Sequence, residues 1–109
     1  MAINVGDLLS EMAVVAEHAF AQKWPEIREF AQTELKGIAE SIALIERLNL
    51  AGQISEEQAK LLLQMKKNTA TIVLLTLEGL GIIAVEAAIN AALGVIKDTV
   101  NEALDFALL

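Results

Sequence analysis

Apolar positions recur along residues 7–24 in two interleaved series, Leu8, Met12, Val15 and Ala19 beside Leu9, Ala13, Ala16 and Phe20, at spacings of three and four. That spacing gathers side chains on one side of a helix. It predicts a first amphipathic helix, capped by Asp7 with Glu11 near the first turn, where a carboxylate suits the helix dipole. Asp7, Glu11 and His18 share its polar side. Trp24-Pro25 ends or kinks it, because proline disfavours the α conformation in the residue before it and suits the first turn of a new helix.

A second helix is predicted from Pro25 to Leu48, with Ile27, Phe30, Ala31, Leu35, Ile38, Ile42 and Ile45 on its apolar face. Glu29, Gln32, Lys36, Glu40 and Arg47 line the outside, and Lys36 with Glu40 makes an i, i+4 pair. Asn49 to Ile54 forms a loop, since Asn and Gly52 favour left-handed backbone at a helix end. Ser55-Glu56-Glu57-Gln58 then has the spacing of a capping box, so a helix starts there. Its apolar side carries Ala59, Leu62, Leu63 and Met65, and Lys60, Gln64, Lys67 and Thr71 follow a polar line.

The densest apolar stretch is Thr69–Ile96, in which 19 of 28 residues are Ala, Val, Leu or Ile and the two charges are Glu78 and Glu86. As one helix it would be about 42 Å long, continuing the helix that begins near Glu56. At about 100° per residue, Gly81, Ala84, Ala88, Ala91, Ala92 and Val95 share one small-residue face. Ile82, Ile89, Leu93 and Ile96 make a bulky ridge, and Glu86 and Asn90 a narrow polar strip. A helix apolar over most of its circumference is buried in protein or in lipid. Lipid is the less favoured medium, because the two carboxylates cut the stretch into uncharged runs of 9, 7 and 10 residues, whereas a spanning helix wants roughly 18 or more.

The fold expected is therefore all-α. It is a single domain over residues 1–109, a bundle of three to four helices with one long, largely buried C-terminal helix, completed by oligomerisation. Composition agrees: 55% hydrophobic residues, 4% aromatics and one proline leave little room for strands or long loops. A net charge of −7, with no basic cluster in either half, excludes nucleic acid as a partner. It also weakens binding to an anionic membrane surface. With no cysteine there is neither a disulfide nor a thiolate metal site. MAINVGDLLSE lacks the basic start of a secretory signal, so a cytoplasmic location is expected.

No motif for catalysis emerges. A carboxylate-bridged two-metal site in a bundle needs Glu-x-x-His pairs, and the sequence holds none; its single histidine, His18, falls on the outer side of the first helix. Glu78 and Glu86 are candidate perturbed carboxylates, because apolar surroundings disfavour their charged form. They lie two turns apart and make no catalytic pair within one helix. Ser10, Ser41 and Ser55 have no histidine partner nearby in sequence. Met12, Met65, Phe20, Trp24 and Phe30 fall at core-like positions.

The expectation is a helical homo-oligomer, a dimer in its simplest form, acting as a structural or protein-interaction module. It is not an enzyme and carries no catalytic, cofactor-binding or metal residues. The small-residue face Gly81, Ala84, Ala88, Ala91, Ala92 and Val95 is the expected interface, since small side chains allow a second helix to approach closely. The alternative is a membrane-active protein, a pore former or phage-type lysis factor, that inserts residues 69–96.

Overall fold

The computed structural model describes residues 3–77 and 79–109, and four α-helices with one 3₁₀ turn account for most of them. Helix α1 (Val5–Phe20) leads through the 3₁₀ turn Ala21–Lys23 into α2 (Trp24–Leu50); α3 (Glu56–Leu75) and α4 (Ile82–Leu104) complete the bundle. Among the described residues there is no strand. Helix α1 packs on α2 and α4, α3 packs on α2 and α4, and the whole measures 42 × 22 × 18 Å.

Local chemistry sets each boundary. Asn4, three residues ahead of the expected Asp7, caps α1: its Oδ1 accepts the Asp7 backbone N–H at 3.0 Å. Asp7 instead lies inside the first turn, where its charge still faces the dipole favourably. At the α1–α2 corner the Phe20 and Trp24 rings stack with centroids 6.5 Å apart, and both are buried. Pro25 sits in the first turn of α2, where its missing N–H costs no hydrogen bond. Gly52, with φ +68°, turns the chain into the loop before α3. The capping box forms as expected: Ser55 Oγ accepts the Gln58 N–H at 3.1 Å, and Gln58 Oε1 accepts the Ser55 N–H at 2.9 Å.

The apolar stretch is not one helix. Helix α3 ends at Leu75, α4 begins at Ile82, and a turn containing Gly79 at φ +85° and an extended Gly81 separates them. Two glycines two positions apart each cost a helix about 1 kcal/mol relative to alanine, and a turn converts that cost into the backbone freedom the reversal needs. The Thr76 hydroxyl donates to the Val73 carbonyl at 2.6 Å, and the Gly81 carbonyl accepts the Val85 N–H at 3.0 Å, closing the two helix ends. The run therefore folds back on itself. Glu78 lies outside the described residues.

The core is built from Leu8, Met12, Ala16 and Phe20 of α1, the Ile27–Ile45 face of α2, Ala59, Leu63, Ala70 and Leu74 of α3, and Val85 through Leu104 of α4. Three of the four ridge residues, Ile89, Leu93 and Ile96, are buried, whereas Ile82 is exposed. Phe30 and Met65, expected inside, are also exposed. Each belongs to a helix whose inward positions other side chains already occupy. The C-terminal ends of α2 and α4 are tied by Asn49 Nδ2 donating to the Leu104 carbonyl at 3.2 Å. Beyond α4 the chain turns at Asp105, and Asn101 Oδ1 accepts the N–H groups of Leu108 and Leu109 at 2.9 and 3.1 Å, docking Leu108 into the core.

Truncating a fully buried side chain at the centre of this core removes its transfer energy and leaves a cavity. Ile42→Ala is expected to cost about 2–5 kcal/mol, against no more than about 0.5 kcal/mol for Val14→Ala on the exposed side of α1, both read from urea denaturation followed by circular dichroism.

Candidate interaction surface

The core takes only one side of α3. Ala59, Leu63, Ala70 and Leu74 face inward, while Leu61, Leu62, Met65 and Ile72 are large apolar side chains on the outside. Three of them fall into a regular series with two amides: Gln58, Leu61, Met65, Asn68 and Ile72, at spacings of three, four, three and four, and all exposed. At about 100° per residue these five lie within about 80° of one another, almost opposite the buried stripe. Leu61, Met65 and Ile72 are 61%, 57% and 65% exposed. Such a cluster marks a site of association more readily than scattered surface leucines do.

Two grooves flank this ridge. On the α2 side, Ser41 and Leu44 face Leu62, Met65, Lys66 and Thr69 across a largely apolar cleft. It runs on past Ile54 and Leu61 toward the loop before α3. Helices α2 and α3 lie close here, since a Cβ built on Gly37 would come within 2.9 Å of the Lys66 Cε. On the α4 side the cleft is polar, lined by Gln64, Lys67, Asn68 and Thr71 with Glu86, Ile89 and Asn90. Gln64 Nε2 donates to Asn68 Oδ1 at 2.9 Å along the helix.

Charge distinguishes α3 from its neighbours. It carries Lys60, Lys66 and Lys67 against Glu56 and Glu57, whereas α1, α2 and α4 each hold more acids than bases. Among the described residues the one ion pair is Lys23 with Glu26, at 3.9 Å and exposed; Lys36 and Glu40 do not pair.

The expected small-residue face is divided. Ala88 and Ala92 are buried in the chain's own core, while Gly81, Ala84, Ala91 and Val95 remain exposed along α4. A second chain approaching there would meet these four and not the other two. Glu86 is exposed at the polar cleft. His18 is exposed on α1, and among the described residues no three of His, Cys, Asp and Glu gather where they could hold a metal ion. Two serine hydroxyls are spent on backbone: Ser10 on the Gly6 carbonyl and Ser55 on its cap.

One buried polar group went unnoticed in the sequence. Glu46 of α2 is 2% exposed, and its Oε1 has no hydrogen-bond partner. Its position one residue past Ile45 gives the only signal, because the inward face of α2 is wide enough to take both neighbours. It lines neither of the clefts that flank α3.

Compared with protein-family models, curated proteins and solved structures, the chain finds no match.

A buried carboxyl oxygen without a partner costs free energy that an apolar side chain of similar size does not. Glu46→Met is expected to stabilise the fold by about 1 kcal/mol, seen as a higher urea midpoint with an unchanged slope.

Proposed function

We propose that the chain is a helical homo-oligomer, a dimer in its simplest form, that acts as a structural or protein-interaction module and has no catalytic site. The observation that supports this most is the exposed apolar ridge of α3, which the protomer's own core does not use. An apolar ridge of this kind is sheltered from water by association, and burial of its side chains supplies the driving force. The four exposed small residues of α4 offer a second helix a close approach, and so add to the surface available for contact.

Chemistry supports the same reading. The hydroxyls of Ser10 and Ser55 serve the backbone, the one histidine stands in solvent, and Glu86 is solvated at the rim of a cleft. The acidic surface disfavours a polyanionic partner such as nucleic acid.

Insertion of residues 69–96 into a bilayer is disfavoured. Among the described residues no helix is long and apolar enough to cross a membrane. The turn at Gly79 and Gly81 divides the stretch, and the apolar side of α4 is already committed to the core.

The test is mass in solution, measured by light scattering on the eluting protein in plain buffer without detergent. The expected value at micromolar concentration is twice 11.7 kDa, falling toward the single-chain value on dilution. A protein that stays at 11.7 kDa throughout overturns the proposal.

A further inference from the structure

We infer that the α1–α2 corner is a strained hinge through which two copies of the chain exchange α1. This goes beyond the association proposed above, because it uses surfaces that each chain already buries.

The strain sits at one residue. Ala21 follows α1 with φ 50° and ψ −116°, the values of the first central position of a type II′ turn, which glycine fills and an L side chain adopts only under strain. Among the described residues one other non-glycine has positive φ, Asp105, and at φ 60° and ψ 28° it stands in the ordinary left-handed region that Asp tolerates. Alanine has no polar side chain with which to offset its position.

Pro25 is the cause. Ala21, Gln22 and Lys23 are residue types at home in a helix, and Trp24 is already helical at φ −52° and ψ −48°, so local preference favours one helix running from α1 into α2. In that helix the Pro25 ring would meet the Ala21 carbonyl four residues back and offer it no N–H. The chain avoids this by turning at Ala21, whose N–H still reaches the Glu17 carbonyl and whose carbonyl accepts from the Trp24 N–H. One residue thus separates two helices folded on each other from a single rod kinked at Pro25.

The occupant of an opened bundle follows from the packing. Leu8, Met12, Ala16 and Phe20 of α1 are buried, and α1 packs on both α2 and α4. The helix shown to fit that site is α1 itself, so the α1 of a second copy repeats every contact and needs no new complementary face. Exchange of an identical element is a low-cost route to a dimer, and a short hinge under strain invites it; this one spans Ala21–Lys23. The charge of −7 on each copy opposes the approach at long range, where salt screens it.

The test refolds wild type, Ala21→Gly and Pro25→Ala from urea at one high concentration in physiological salt, dilutes each, and follows mass by light scattering over time. Wild type is expected to retain a dimer fraction long after dilution, because dissociation requires each α1 to leave a buried site. Pro25→Ala, which removes the ring that opposes the single rod, is expected to raise that fraction several-fold. Ala21→Gly is expected to lower it and to raise the urea midpoint, against the loss that glycine causes in a helix. A lower midpoint for Ala21→Gly overturns the strain. Equal dimer fractions in the three proteins, or no dimer in any, overturn the exchange. A dimer that ignores both substitutions and dissociates at once on dilution is surface association of the kind proposed above, and it overturns the exchange alone.

Discussion

The need to shelter the aliphatic run between Thr69 and Ile96 governs the fold. A straight helix of that length has apolar side chains over most of its circumference, more than two amphipathic helices can cover. Gly79 and Gly81 resolve the conflict by letting the run reverse. After the reversal, each half needs to bury only one side, and each half helps to cover the other. The α3–α4 contact is thus supplied from within the stretch that created the problem, and α1 and α2 close the remaining sides.

Much of this was legible along the chain. The capping box at Ser55, the left-handed Gly52, the proline that opens α2 and the inward face of α2 all follow from local rules that depend on few residues. The reversal at Gly79 and Gly81 did not follow, because a glycine within a helical pattern has two readings. One is a close approach between helices, the other a break, and only the packing of the whole chain decides. Asn4 caps α1 in place of Asp7 although both residue types suit the position, and the choice between them turns on where Ile3 and Leu8 find the core.

The surface was harder to read than the interior. The small residues of α4 form one face by angle, yet the fold draws Ala88 and Ala92 inward and leaves Gly81, Ala84, Ala91 and Val95 outside. Helical periodicity assigns a side chain to a direction and is silent on which neighbour occupies it. The reverse happened on α3, where Leu62 and Met65 were grouped with Ala59 and Leu63 as one apolar side. In space they divide between two, and the outer series shows its regular spacing only after the inner one is removed. Glu46 illustrates the same limit, since a charged residue beside Ile45 is outward by type and inward by geometry.

Because the two stripes of α3 point nearly opposite ways, they answer to different demands. Substitutions on the inner stripe are felt by α2 and α4, the two helices packed on it, whereas the outer stripe supports none of the chain's own helices. Such a helix separates two kinds of freedom: one line of side chains can drift in size and polarity while the scaffold beneath it persists.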